Sequence, residues 1–274
     1  MASITDCVSE GLKYPFNDVK KILSLGFLFA IINIIIFAIL EKTIQIVRII
    51  SATKGNNLAL KLSHIPLNDI YIIDGLSIIV FIITLIIMGY QYNVIKFSID
   101  KNNELPGFND IINLLVNGVK YYAVSLIYNI IPIIVLIAGA ELQSIRNGDY
   151  IISIISAILF IICNLLLIMA LANMIDNNKF TKAFDLKEII DKISNLGWIK
   201  YIGIVLFTII IYSIIMLASG IILMFITMFM AMTIKQAMII ATILSIIEGL
   251  IITPYISIFF HRVYGSIYRE ANKQ

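Results

Sequence analysis

The chain of 274 residues is too apolar to be a soluble protein, because 60% of its residues are hydrophobic and only 14% are charged. Its net charge of +3 does not indicate nucleic-acid binding, and two cysteines and two histidines are too few for a disulfide framework or a zinc site. Several apolar runs reach about 20 residues, the length that spans a hydrocarbon core of about 30 Å. We therefore predict an all-α integral membrane protein with six transmembrane helices.

The predicted elements begin with an amphipathic helix over residues 3–13, where Ser3 and Asp6 have the spacing of a capping box. A first membrane span follows over 22–40. Apolar residues at helical spacing over 41–51 indicate either that the same helix continues or that another helix rests on the far surface. We expect the polar run 53–57 to end it.

The middle of the chain contains a second span over 75–94, a short surface helix over 111–119 and a third span over 121–140. Pro132 lies inside the third span. Because proline lacks an N–H, it would release the carbonyl of Tyr128 and kink the helix.

A fourth span over 150–172 leads to a third surface helix, which is the clearest amphipathic helix of the chain. One face of that helix is apolar and consists of Leu186, Ile189, Ile190, Ile193 and Leu196.

The apolar run 198–233 would be about 50 Å long as one helix, since each residue adds about 1.5 Å. We therefore predict a span that ends at Leu217, a break at 218–220 and an apolar extension in the outer leaflet. A sixth span follows over 237–260, where Pro254 frees the carbonyl of Leu250. Three shorter crossings within 198–260 are the alternative.

The basic residues predict that both the N and the C terminus are cytosolic. In that orientation 14 of the 20 Lys and Arg residues lie on the inner side, in agreement with the positive-inside rule. An aromatic belt is then expected at the inner interface, formed by Tyr121, Tyr122, Trp198, Tyr201, Tyr264 and Tyr268.

A short motif recurs three times. Phe16-Asn17-Asp18 lies near the start, Phe108-Asn109-Asp110 in the middle and Phe184-Asp185 later in the chain. We interpret it as the mark of three parallel repeats within a single membrane domain over 1–274, each made of an amphipathic surface helix and a two-span hairpin. The repeats cover about 1–97, 98–175 and 176–274. Similar helix caps of independent origin are the alternative.

The segments SEGLKYPFND (residues 9–18) and LPGFND (residues 105–110) resemble a family of prokaryotic, mainly archaeal, membrane proteins. The family is catalogued as domain of unknown function 4013. The resemblance covers nearly the whole chain and implies a multi-pass protein of a prokaryotic cell membrane. It brings no established activity, so it assigns no functional residue.

Glu248 is the sharpest candidate for a functional site, because an ionisable residue in the middle of a span usually faces the bundle interior or a water-filled cavity. Gly249 and Pro254 would loosen the helix around it. The alternative is a protonated Glu248 that is hydrogen-bonded inside the bundle.

Asn33, Asn129 and Asn164 lie in three different predicted spans. They are candidate lining residues of a polar path, but interhelical hydrogen bonding is the better interpretation. Such sparse polar lining argues against a hydrophilic substrate.

Lys182, Lys187 and Lys192 flank the apolar face of the third surface helix and are candidate contacts for anionic lipid headgroups. An interfacial helix that simply obeys the positive-inside rule is the competing interpretation. Protein partners are unknown.

Met224, Met228, Met230 and Met232 cluster near the outer side. Thioethers suit Cu(I), but without outer Cys or His we favour apolar packing and predict no metal site and no cofactor. Motifs for a phosphate loop or a nucleophile elbow are absent from the sequence, and Glu10, Asp6, Asp185 and Glu188 fit caps and solvated faces. We predict that the protein is not an enzyme.

Two functions remain open. A non-catalytic protein that organises lipids or protein partners predicts a dry, packed interior and an exposed apolar groove near the inner interface. A small carrier or channel predicts instead a water-accessible central cavity that contains Glu248.

Overall fold

The structure is a computed structural model that describes residues 3–52, 65–141, 148–232, 234 and 236–273. All regular elements among these residues are helical, and six helices are long and apolar enough to cross a membrane. The chain is therefore an all-α, multi-pass membrane protein, as its composition predicts. The expected end of the first long helix at 53–57 lies outside the described residues.

The helices occur in the order α1 (Ile4–Lys13), α2 (Val19–Ala52), α3 (Leu67–Ile99), α4 (Ile111–Glu141), α5 (Gly148–Asn177), α6 (Leu186–Leu196), α7 (Trp198–Ala231), α8 (Ala237–Ile247) and α9 (Thr253–Ala271). Turns of 3₁₀ helix at Tyr14–Asn17 and Phe180–Phe184 precede α2 and α6. A π-helical turn, Glu248–Ile252, joins α8 to α9, and these three elements form the sixth span.

The expected break at 218–220 is wrong, because α7 continues without interruption from Trp198 to Ala231. Inside a bilayer, a broken helix leaves backbone N–H and C=O groups without water to bind them. Keeping Gly220 inside a continuous helix costs only about 1 kcal/mol relative to alanine. The stretch 198–260 thus supplies two spans, not three.

Only two of the three predicted surface helices are separate elements, namely α1 and α6. Residues 111–119 are instead the first turns of α4, which continues directly into its span. Gly197 separates α6 from α7. Its φ of 91° is readily adopted only by glycine, and this residue ends α6 one residue before α7 begins. The segment 41–51 likewise continues α2.

The recurring motif has the same geometry in its second and third copies. Phe108 stacks on Tyr90 with ring centroids 4.6 Å apart, and Phe184 stacks on Tyr128 at 6.1 Å. The aspartate then caps the next helix, because Asp110 accepts the backbone N–H of Asn113 at 3.0 Å. Asp185 accepts the backbone N–H of Glu188 at 3.2 Å in the same way.

The loops before these two copies also begin alike. Lys101 and Asn178 both adopt a left-handed conformation just after a span, with φ of 56° and 48°. In each loop the next backbone N–H bonds to a carbonyl five residues earlier: Asn102 to Phe97 at 2.8 Å, and Lys179 to Met174 at 3.2 Å. This is the Schellman cap, which satisfies carbonyls at the end of a helix.

The chain forms two compact units. Unit 1 comprises Met1–Val19, Met88–Ser213 and Ser257–Gln274, and so contains α1, α4, α5, α6 and most of α9. Its core is continuous from the spans into the surface helices, with Met169, Ile189, Tyr201 and Phe259 fully buried. Unit 2 comprises Lys20–Ile87 and Ile214–Ile256, which are parts of α2, α3 and α7 with all of α8.

Candidate functional site

Polar side chains are concentrated at one end of unit 1, where α3, α5 and α9 end and α4 and α7 begin. We call this region the polar end. Its first cluster is built around Glu10 of α1. The Glu10 carboxylate binds Arg262 and Arg269 of α9, each with an N–O distance of 2.6 Å. The Arg262 side chain is only 1% exposed, so α1 supplies the counter-charge of a buried cation.

Backbone and aromatic groups complete the arginine cluster. Arg262 donates to the carbonyl of Asn102 at 2.5 Å and to Oδ1 of Asn103 at 3.0 Å, in the loop after α3. Its guanidinium also lies 4.0 Å from the ring centroid of Tyr14. Arg269 donates to the carbonyl of Ser98 at 2.6 Å. The cluster therefore ties α1, α3 and α9 together.

The charge state of Glu10 follows from these contacts. Burial by itself would raise the pKa of the Glu10 carboxyl, but hydrogen bonds and charges of Arg269 and Arg262 outweigh it and lower the pKa. Glu10 is thus ionised at neutral pH.

A second cluster surrounds the buried Tyr268 of α9. Its hydroxyl contacts Oδ1 of Asn173 at 2.8 Å and Oδ2 of Asp176 at 3.0 Å, both at the end of α5. The ammonium of Lys192 in α6 donates to the same hydroxyl at 2.7 Å and to Oδ1 of Asn272 at 2.8 Å. This cluster fixes α6 against α5 and α9.

An apolar groove of about 330 Å³ lies between α5, α7 and α9 in unit 1, and Tyr121 of α4 also lines it. Its base contains the buried residues Leu171, Thr208 and Val263. Its rim contains Phe160, Ile161 and Ile209, which are 51%, 60% and 46% exposed. No charged residue lines the groove.

The lining of the groove includes Asn164, whose amide donates to Oδ1 of Asn129 at 3.1 Å and to the carbonyl of Phe160 at 2.8 Å. A further polar group lies at the end of the groove next to the polar end of unit 1. The half-buried Tyr264 lines the groove there, and the described part of the chain offers no hydrogen-bond partner to the Tyr264 hydroxyl. Tyr121 lies nearby, but its hydroxyl is already bonded to Nε2 of His261 at 2.9 Å. Nδ1 of His261 contacts the carbonyl of Ser257 at 2.6 Å, which holds the ring in the tautomer protonated at Nδ1.

A family model described as "Protein of unknown function (DUF4013)" matches residues 72–224, which is more than half of the chain. The chain belongs to the DUF4013 family. No curated protein and no solved structure matches it. The match confirms the family that the resemblance indicated, but it covers 72–224 and not nearly the whole chain, so the motif at 105–110 lies inside it and the motif at 9–18 outside it. The family description assigns no chemistry to any residue of this DUF4013 protein.

The candidate intramembrane residues fall in both units. In unit 1, Nδ2 of Asn164 donates to Oδ1 of Asn129 at 3.1 Å, and each amide also donates to a carbonyl of its own helix. In unit 2, Nδ2 of Asn33 donates to the carbonyl of Ser245 at 2.6 Å. All three asparagines therefore make the hydrogen bonds expected of groups that join or stabilise helices.

Glu248 is half-buried at the first position of the π-helical turn in unit 2. The Leu250 carbonyl, which Pro254 was expected to expose, packs against Gly26 of α2. A Cβ at Gly26 would lie 2.2 Å from that oxygen. No group of His, Cys, Asp and Glu side chains among the described residues has the arrangement of a metal site.

The three candidate lysines have different surroundings. Lys182 forms ion pairs with Asp185 at 3.0 Å and Glu188 at 2.6 Å. Lys192 is engaged by the Tyr268 cluster, and burial lowers the pKa of its ammonium. Lys187 is exposed on α6 beside an open polar surface that Asp191 also lines.

Sequence reasoning missed the two polar clusters. It treated Glu10 as a solvated residue and counted Arg262 and Arg269 only as positive charges. It also assigned Tyr201 and Tyr268 to an interfacial belt, whereas both are fully buried. A signal was present in the spacing of Arg262, Ser266 and Arg269, which puts three polar residues on one face of a helix.

Proposed function

We propose that this DUF4013 protein is a non-catalytic membrane protein that organises lipids at the inner leaflet of a prokaryotic cell membrane, with both termini in the cytosol. The observation that carries the proposal is the apolar groove of unit 1. It is open at an exposed apolar rim and is bordered by the polar end. An apolar groove near the inner interface is what a lipid-organising protein requires and what a carrier of hydrophilic solutes does not.

The use of the polar side chains supports the same function. Asn129 and Asn164 bond to each other and to their own helices, so they offer little to a passing solute. Charged side chains in the two clusters are already engaged, Glu10 by Arg262 and Arg269 and Lys192 by the Tyr268 hydroxyl. Exposed Lys187 is then the lysine of α6 best placed to meet an anionic headgroup, within about one Debye length of the surface.

The shared cap and stacking geometry of the second and third motif copies supports the three-repeat organisation as part of this proposal. In each of these copies a phenylalanine fixes the loop to the preceding span and an aspartate starts the next helix. A protein built from such units presents similar surface elements several times at one membrane face.

Lipid retention tests the proposed function. The purified protein is exchanged extensively into a lipid-free detergent and its mass is measured under native conditions. We expect a small, fixed number of bound phospholipids to survive the exchange, with anionic species enriched. A Lys187→Gln variant should lose that enrichment while a Lys13→Gln variant, changed at another exposed lysine, keeps it. A protein that emerges without lipid contradicts the proposal.

A carrier or channel is the second candidate, and the π-helical turn at Glu248 favours it, since such turns are frequent at functional sites. In a background with Cys7→Ala and Cys163→Ala, Glu248→Cys is treated with membrane-impermeant thiol reagents from each side. Labelling from one side would establish an aqueous path to this position and favour the carrier. A folded protein that resists labelling from both sides excludes that path.

A further inference from the structure

We infer that the groove between α5, α7 and α9 binds one hydrocarbon chain of a membrane lipid, with the polar group of that lipid at the Tyr264 hydroxyl. This inference rests on the proposed lipid-organising function and specifies its site. It is argued from the size, the lining, the opening and the polar end of the groove.

Size limits the ligand to a single chain. A volume of about 330 Å³ is at the lower end of the range for small-molecule sites. Along α5 the lining extends from Phe160 to Leu171, which is about 16 Å at the helical rise of about 1.5 Å per residue. One leaflet contributes about half of a hydrocarbon core of about 30 Å, so the groove has the length of one leaflet's chains.

The lining and the opening select a chain from the bilayer over a solute from water. The lining is mainly apolar, and the donors of its two polar side chains other than tyrosine are already bonded. The Thr208 hydroxyl donates to the carbonyl of Ile204 at 2.7 Å, and the Asn164 amide donates to Asn129 Oδ1 at 3.1 Å and to the Phe160 carbonyl at 2.8 Å. Access is through Phe160, Ile161 and Ile209, whose exposed apolar side chains belong to membrane spans. A lipid chain can therefore enter sideways without leaving hydrocarbon.

Tyr264 sets the direction of the bound lipid. It lies two residues after the buried Arg262 of the polar end, and Phe160 lies toward the opposite end of the groove. Its hydroxyl is a donor at the edge of an apolar site and has no partner among the described residues. An ester carbonyl or a hydroxyl next to a lipid headgroup would satisfy it, while the chain extends toward Phe160.

Photochemical labelling tests the site in the full-length protein, reconstituted in bilayers that contain a phospholipid with a diazirine in one acyl chain. Labelled peptides are mapped by mass spectrometry. We expect labels to concentrate on groove residues of α5 and α7. Val205→Phe should fill the groove and reduce its labelling about tenfold, a factor equivalent to about 1.4 kcal/mol of binding free energy.

Leu206→Phe is the matched control, because Leu206 is the neighbouring residue, is 54% exposed to the bilayer and does not line the groove. It should leave groove labelling unchanged. Ile209→Phe at the exposed rim provides a second obstructing variant if Val205→Phe does not fold. Tyr264→Phe should reduce labelling about fivefold through loss of a single hydrogen bond.

The contrary outcomes distinguish a failure of the groove site from a failure of the proposed lipid-organising function. Labels spread evenly over exposed helix faces, or groove labels unaffected by the obstructing variants, overturn the site but leave lipid retention intact. Protein–protein cross-links at Phe160 would show that an apolar helix of a second copy covers the groove. This outcome also overturns the proposed lipid site. Absence of retained lipid in the native mass spectrum overturns the proposed function itself.

Discussion

Glu10 of α1 binds the guanidinium of Arg262 in α9 at 2.6 Å, across more than 250 residues of sequence. The arginine is buried and the glutamate is partly exposed, so the N-terminal helix supplies the counter-charge that this cation finds among the described residues. This ion pair gives α1 a structural role beyond that of an amphipathic anchor.

Replacement of Glu10 should destabilise the protein. Glu10→Gln leaves Arg262 buried without a counter-charge, and we expect a loss of about 2 kcal/mol, between the values for exposed and for buried ion pairs. Thermal or chemical unfolding in detergent measures it. The same change at Glu104, which is exposed, is the control and should have little effect. Equal stabilities of the two variants would show that the ion pair contributes nothing net.

The contribution of Glu10 should depend on pH. Because its folded pKa is lowered below the unfolded value of 4.5, the stabilisation is fully present above pH 4.5 and is lost as the pH falls through the folded pKa. The stability difference between wild type and Glu10→Gln should therefore be constant near neutral pH and disappear in acid. Other carboxyls are common to both proteins and cancel. A stability difference between wild type and Glu10→Gln that grows toward low pH would contradict this prediction.

Gly26 should not tolerate a side chain. A Cβ there would lie 2.2 Å from the Leu250 oxygen, so Gly26→Ala must separate α2 from the π-helical turn and should cost about 2 kcal/mol or more. Gly75→Ala in α3 is the control, since nothing lies within 4 Å of its Cβ, and it should be neutral or stabilising by up to about 1 kcal/mol. Unfolding midpoints measure both changes: Gly26→Ala should lower the midpoint, and Gly75→Ala should leave it unchanged or raise it.

Tyr268 should determine how firmly α6 is held. Tyr268→Phe removes contacts to Asn173, Asp176 and Lys192, and we expect a loss of about 1 to 2 kcal/mol. Amide hydrogen exchange in α6 should become faster. Tyr71→Phe, at a position that is 66% exposed, should change neither quantity. Unaltered exchange in the Tyr268 variant would mean that apolar packing of Ile189 and Ile193 alone fixes the helix.

The caps of α1 and α6 show how much local structure the sequence predicts. The capping box of α1 is confirmed: Asp6 accepts the Ser3 backbone N–H at 2.6 Å, and the Ser3 hydroxyl accepts the Asp6 N–H at 3.2 Å. Asp185 and Glu188 have the same spacing at the start of α6, but Glu188 pairs with Lys182 and Lys192, and only the half of the box made by Asp185 is present. Local spacing predicts a cap; competing ion pairs from neighbouring turns decide whether it is complete.

The sequence did not predict which residues come together in the candidate site. Tyr121, Thr208 and Tyr264 lie in three helices, and no spacing along the chain relates them. Interhelical hydrogen bonding was the favoured interpretation of Asn129 and Asn164, because an amide in hydrocarbon must find a partner, and the two side chains bond to each other at 3.1 Å. Which partner it finds depends on helix rotation, and that is set by packing of the whole unit.

The amino-acid sequence is sufficient to predict a helical, multi-pass membrane protein with six helices long and apolar enough to cross, because hydrophobic length and backbone hydrogen bonding in lipid permit little else. The sequence also shows the family, through the match over residues 72–224. The folded arrangement was needed to show that α1 neutralises Arg262, that Gly26 packs against Leu250 and that an apolar groove opens beside Tyr264. These features join residues far apart in the chain, and the rotation and close approach of helices on which they depend are set by side-chain packing between them.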